Sequence, residues 1–479
     1  MRYKKLISSA FLVLLIVSCR KVIDYKENEF IDAEKALKTV ENLEQAVIGA
    51  YAGMQVEMGY LLNATFSDEV KTSGEFYNSI STHEWQYGPE DVTIRDNFTA
   101  IGSYYPIIDR VNRVLAVITK ADSTRAGDNV LRLRLKGEAQ FIRAFCHFEL
   151  YRYYGANYDP AALAMPYRTE PSPLPWTAFS RDKMDAYFQK LNTDLTEAKT
   201  LVVNTLTDRT RANRAAVSGL QARVALYMKD WTNAITYSTE YITALPLSPR
   251  DEFNGIWTDA NNNEQAFKLK RSNTNNPYSK IGSLWRNTSS NASNIGTVFW
   301  IPSSKLWNSY DQTADIRFSS YMKVEPALTT AGRQNRLITK YAGTAYGTSG
   351  ENVADAKVFR TGEMYLIRAE AKAESNDLAG AAADINALRT ARITGYAPVT
   401  FASKDEAMTA IILERFKELA FEGHRFWDLK RKNLAVQREG ADAPSSTGAT
   451  LPAGNFRFLL PIPEIEMQAN SLMTQNPGY

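Results

Sequence analysis

The chain has 479 residues, 44% of them hydrophobic and 23% charged, which suits one large folded domain or two closely packed ones. The net charge is only +3 and Lys and Arg are spread along the chain, which excludes a charge-driven nucleic-acid binder. Beyond the N-terminus no apolar run is long enough to span a membrane.

At the N-terminus Arg2, Lys4 and Lys5 precede a short apolar stretch, Leu6 to Val17. Ile16-Val17-Ser18-Cys19 resembles a bacterial lipobox: a small residue before the cut, then a thiol to take the diacylglycerol. Residues 1–18 are then a signal peptide, Cys19 is the lipidation site, and residues 19–35 form a polar tether. The stretch also fits an ordinary secretory peptide with a chance cysteine, or an N-terminal anchor helix. Cys146 falls in an apolar helical run and reads as a small buried hydrophobe. The histidines lie far apart, without metal-ligand spacing, and no metal or cofactor is expected.

The spacing of apolar residues predicts a helix from Thr39 to Met58, a loop from Asn63 to Tyr87, and a second helix near Asp96–Lys120. Residues 128–154 read as a long helix ended by Gly155, and 160–175 as a Pro-rich connector. Leu220–Ala234 and Ile367–Ala381 then repeat one layout of helix, short turn and helix. Ala222 aligns with Ala369, Asp230 with Asp377 and Ala234 with Ala381, a pattern of small residues like that of tetratricopeptide units. The helices near 40–120 and 130–200 supply two degenerate units, which makes four. Residues 246–356 are rich in Asn, Ser, Thr, Gly and aromatics, and read as loops with short strands and small helices. Ser403 and Glu406 form a capping box that opens a helix stopped by Gly423. The charges of that stretch, Glu414 to Lys430, are spaced to pair across helical turns.

The stretch ERFKELAFEGHRFWDLKR (residues 414–431) resembles the C-terminal signature of the SusD/RagB family of Bacteroidetes outer-membrane lipoproteins. So do GEAQFIRAFCHFELYRYYG (137–155), YPIIDRVNRVL (105–115), Phe456-Arg-Phe-Leu-Leu-Pro-Ile-Pro-Glu and the Asn476-Pro-Gly-Tyr ending. Arg20 and Lys21 directly follow Cys19, where surface-exported members often carry acidic residues.

The resemblance implies a mainly α, SusD-like fold: about four helix-pair repeats in a superhelical scaffold, with an irregular loop-rich subdomain. The domain spans residues 36–479, with repeats at about 36–245 and 357–392, the ligand subdomain at about 246–356 and the terminal signature at 403–479. It implies an outer-membrane protein facing the cell exterior. That protein captures an oligosaccharide and hands it to a SusC-like TonB-dependent transporter, by binding and gating. A sugar ring needs an aromatic face beneath it and hydrogen-bonding side chains around its hydroxyl fringe. By resemblance Trp85, Tyr87 and Asn97 would supply these from the first loop, and Tyr278, Trp285, Arg286 and Trp300 from the central region. Trp231 and Trp427 read as packing residues, and Trp307 as either.

Two other readings use the same fold: a binder of peptide or glycoprotein fragments, or a scaffold for protein partners alone. No phosphate loop, His-Glu-x-x-His or Gly-x-Ser-x-Gly motif points to an enzyme. The carboxylate pair that best suits glycoside hydrolysis is Glu69 with Glu75.

Overall fold

Fully buried alanines set how closely the helices approach. Ala222 and Ala234 in one helix pair, and Ala369 and Ala381 in another, have no exposed surface. In the computed structural model, which describes residues 36–73, 80–174, 177–272, 281–286, 298–330, 332–343 and 350–479, four such pairs stack in chain order. The first is α1 (Val40–Gly53) with α3 (Ile101–Val117); α2 (Glu57–Phe66) lies between them in sequence. The second is α4 (Asp128–Tyr154) with α5 (Met184–Leu201). The third is α6 (Arg214–Met228) with α7 (Trp231–Ala244), and the fourth α8 (Thr361–Glu374) with α9 (Leu378–Arg392). Helix α10 (Lys404–Glu418) closes the stack against α8 and α9.

Side-chain caps start α7, α9 and α10. Asp230 accepts from the Asn233 backbone N–H, and Asp377 from that of Gly380, so the aligned aspartates play one role in both repeats. Ser403 accepts from the Glu406 N–H at 3.1 Å, while the Glu406 carboxylate reaches one residue further back, to the Ala402 N–H at 2.8 Å. Gly155 ends α4 for a steric reason: a Cβ there would sit 2.4 Å from the Tyr151 ring.

The region between the third and fourth pairs supplies strands to three short two-stranded antiparallel ladders, one of them shared with a strand from the segment after α2. Strand β1 (Val70–Thr72) pairs with β3 (Trp300–Pro302), and β2 (Gln265–Leu269) with β6 (Ala356–Arg360). Strand β4 (Met322–Val324) pairs with β5 (Arg336–Ile338). The chain then runs through α11 (Arg425–Arg431) to the short helix α12 (Glu464–Ala469).

The terminal signature differs from its sequence expectation in two ways. Helix α10 stops at Glu418, and the turn after it contains left-handed Phe421 (φ 64°) as well as Gly423 (φ 79°). Its charges pair across the core more than along the helix. Glu418 meets Arg317, Arg360 and Arg392 at 3.2, 3.0 and 3.0 Å. Glu422 meets Arg360 at 2.6 Å and Lys340 at 2.7 Å. Burying this many charges is tolerable only because each is paired and hydrogen-bonded. Arg431 with Asp428, at 2.8 Å, is a pair three residues apart of the kind the spacing suggests.

Candidate ligand-binding site

The aromatic residues expected to stack on a ligand are packed inside the fold. Trp85 is 2% exposed; its Nε1–H donates to the Phe66 carbonyl at 2.9 Å, and the Arg438 guanidinium lies 4.3 Å from its ring centre. Tyr87 is buried, donates to the Arg457 carbonyl at 2.6 Å and stacks on Tyr479. Trp285 is fully buried beside Phe421, and Trp300 packs edge-on to His83. These four rings fill core space, so they offer no open platform; their hydrophobic area favours packing once loops fold back on the scaffold. Asn97 is exposed at the end of the short helix Val92–Asn97. Tyr278 and the Arg286 side chain lie outside the described residues, as do Cys19 and Glu75.

Glu69, the other half of the carboxylate pair, is 1% exposed and lines none of the cavities described below. Burial pushes its carboxyl up to about 8, against the opposing pull of Arg425. Trp427 is packed as expected, with the Arg152 guanidinium 3.8 Å from its ring centre, and Trp307 is packed against Phe318. Trp231 is half-buried and lines a polar cavity of about 380 Å³ between the ends of α6 and α11. Cys146 is free and buried. Among the described residues no cluster of His, Cys, Asp or Glu could hold a metal ion, and no helix is long and apolar enough to cross a membrane.

A cleft of about 440 Å³ opens between α3, the connector that follows α4, and the C-terminal segment around α12. It is built on one face of α3. Tyr105, Asp109 and Asn112, at helical spacing, staple the connector in place. The Tyr105 hydroxyl donates to the Pro166 carbonyl at 2.9 Å. Asp109 accepts from the Ser172 N–H and from Arg113 Nε, both at 2.7 Å. Asn112 donates to the Arg168 and Glu170 carbonyls at 3.2 and 3.1 Å, and its own oxygen accepts from Arg143 at 2.9 Å.

The opposite wall is held just as tightly. Asn470 clasps the Phe179 backbone, accepting its N–H and donating to its carbonyl, both at 3.1 Å. The Arg168 guanidinium lies 3.1 Å from the Phe179 ring centre. Partial burial lowers the pKa of that guanidinium below its ordinary value, and burial raises that of the Glu466 carboxyl. The cleft thus offers apolar faces from Tyr105, Ile108, Phe179 and Met473, fringed by Arg168, Glu170 and Glu466. That combination of apolar floor and convergent polar groups is what a small-molecule site requires.

Sequence reading misses this cleft because its parts look structural. Tyr105 and Ile108 belong to an ordinary apolar helical stripe, and Phe179 and Arg168 fall in or beside a connector. The available signal is the run Tyr105, Asp109, Asn112: polar groups on the face where a helix in a bundle should be apolar.

A family model described as "SusD family" matches residues 229–479. A second, described as "Starch-binding associating with outer membrane", matches residues 23–226. SusD-like protein P2 of Formosa agariphila is 25% identical over 528 aligned positions, covering 100% of both chains. A SusD superfamily protein from Bacteroides vulgatus superposes with TM-score 0.78 at 24% identity, over 92% of this chain and 99% of that one. The surface glycan-binding protein A of Bacteroides fluxus gives TM-score 0.73 at 19% identity, over 92% and 99%. The fold is therefore the helical SusD-like fold, and the chain belongs to the SusD family.

Proposed function

We propose that this protein binds an oligosaccharide at the outer membrane and delivers it to a SusC-like TonB-dependent transporter, without covalent chemistry. A lipid on Cys19 holds it there. The observation that carries the reading is the cleft at α3, whose aromatic and aliphatic floor suits the C–H face of a sugar ring and whose polar fringe suits its hydroxyls. The family descriptions support the same reading, as does the glycan-binding name of one structural neighbour. Tyr105 and Phe179 form the stacking floor; Asn97, Tyr278 and Arg286 are further candidate ligand contacts on the family resemblance alone.

The test is calorimetric titration of the mature protein with neutral oligosaccharides of several linkages. Saturable binding of one linkage class, weakened by Tyr105→Ala, supports the reading. Retention of peptides with no glycan bound sinks it. Co-purification of the transporter with the lipidated protein, lost in Cys19→Ala, tests the delivery and anchoring parts.

A further inference from the structure

We infer that the polar cavity between the ends of α6, α8 and α11 is a second sugar subsite, with the Trp231 ring as its platform. Its ligand class is taken from the glycan-binding proposal, on which the subsite rests. It is separate from the α3 cleft, and no residue lines both.

Trp231 differs from the other tryptophans. Every other described tryptophan is buried and meets another ring or a cation. Trp231 is only partly buried, and its ring meets no other ring and no cation among the described residues. Its place in the chain explains the exposure. It is the first residue of α7, directly after the capping Asp230, where the chain turns out of α6. An indole left this way has an apolar face without cover and an N–H without an acceptor.

The walls around it are held in place. α6 supplies Leu226 and Tyr227, α8 supplies Glu370 and Glu374, and α11 supplies Arg431. Arg431 Nη2 holds Glu370 at 2.7 Å, and Glu374 is held by Lys432 at 2.8 Å and by Lys404 at 2.5 Å. Asn157 Nδ2 donates to the Lys430 carbonyl at 2.9 Å and pins the segment after α4 to α11. Side chains fixed by helices and ion pairs lose little freedom when a ligand arrives. The volume, about 380 Å³, lies in the range of small-molecule sites.

The groups left free both donate and accept. Of the charged residues lining the cavity, Glu370, Glu374, Arg431 and Lys432 pair with one another, and only the exposed Lys229 ammonium has no partner among the described residues. The Trp231 indole N–H and the Asn433 amide are free as well, and so is the Asn157 amide oxygen. The Tyr227 hydroxyl also lacks a partner, but it is closed off from solvent. The free donors are thus an ammonium, an indole N–H and an amide NH₂, and the free acceptors are two amide oxygens. A sugar hydroxyl donates and accepts, and the C–H face of its ring covers an indole. A simple anion would use the donors alone and leave the indole face bare.

The experiment is calorimetric titration of the full chain in detergent with short malto-, xylo- and laminari-oligosaccharides and with a mixture of short peptides. The variants are Tyr105→Ala, Trp231→Ala, Trp231→Phe and Asn433→Gly, each checked for native circular dichroism and melting. Asn433 has a left-handed backbone (φ 51°), which glycine tolerates, so that variant removes the amide without strain. The expected result is two oligosaccharides bound per native chain. Tyr105→Ala abolishes one site. Trp231→Ala weakens the other by about tenfold or more, Asn433→Gly weakens the same one, and Trp231→Phe retains it. One oligosaccharide per chain, lost in Tyr105→Ala and unchanged in Trp231→Ala and Asn433→Gly, overturns the second subsite and leaves the proposed function standing. Peptide binding that is lost in Trp231→Ala, with no sugar bound there, overturns the ligand assigned to the cavity. Binding of no oligosaccharide at either site overturns the subsite together with the proposed function.

Discussion

Arg425 and Asp68 form a two-pronged ion pair, Nε to Oδ1 at 2.7 Å and Nη2 to Oδ2 at 2.9 Å, across 357 residues of sequence. The pair ties the terminal signature to the segment after α2. Both side chains are buried, so losing one partner strands the other charge. Arg425→Ala should cost about 3–5 kcal/mol of folding stability, read by chemical denaturation. Burial alone would raise the Asp68 carboxyl, but Arg425 and Lys305 outweigh it and hold it well below the usual carboxylate range. A group whose pKa is lowered by folding stabilises above its unfolded pKa and loses that contribution as pH falls through the folded one. Asp68→Asn should therefore be less stable than the native chain at neutral pH, and the difference should shrink in strong acid. An equal deficit at all pH values would contradict this.

Glu69, the next residue, gives the opposite slope. Its carboxyl is buried, with one oxygen 3.3 Å from the Phe421 N–H and the other without a hydrogen-bond partner, and burial raises it to about 8. A raised acid contributes stability that is complete below its unfolded pKa and is lost as pH rises through the folded one. Stability should fall between about pH 5 and pH 8, and a fully buried acid can account for on the order of 4 kcal/mol of that fall. Glu69→Gln keeps the shape and removes the proton. Denaturation curves at the two pH values should show a smaller fall in the variant.

Trp85 and Trp285 report on packing more than on ligand. Each is at most 2% exposed. Truncation of either to Ala should cost about 3–5 kcal/mol, with the loss seen in apo protein by denaturation. A variant with native stability and lost ligand affinity would restore the stacking role that the sequence suggested.

The repeat caps make a matched pair. Asp230 and Asp377 each accept from the backbone N–H three residues on, in exposed positions at the start of α7 and α9. Asp→Ala at either should cost about 1 kcal/mol, and the two losses should add because the sites are independent.

The helix pairs were legible in the sequence because their determinants are local. Ala222, Ala234, Ala369 and Ala381 recur at fixed offsets from a capping aspartate, and the structure buries all four. The family signature was legible for the same reason, as a contiguous string. Its chemistry was not. Glu418 and Glu422 sit at spacings that suit pairing along a helix, yet their partners Arg317, Lys340, Arg360 and Arg392 come from distant elements. Composition alone cannot tell a loop aromatic that faces solvent from one that folds under its loop, which is how Trp85, Tyr87, Trp285 and Trp300 looked like a platform. The cleft was hidden because its walls come from α3, a connector and the C-terminal segment, which only tertiary structure brings together.

The most direct measurement is a crystal structure of the protein with a neutral oligosaccharide selected by titration. The account predicts a sugar ring seated over Tyr105 and Phe179, with hydroxyls within hydrogen-bond distance of Glu170 or Glu466. A ring bound elsewhere, with the α3 cleft holding only water, would contradict it.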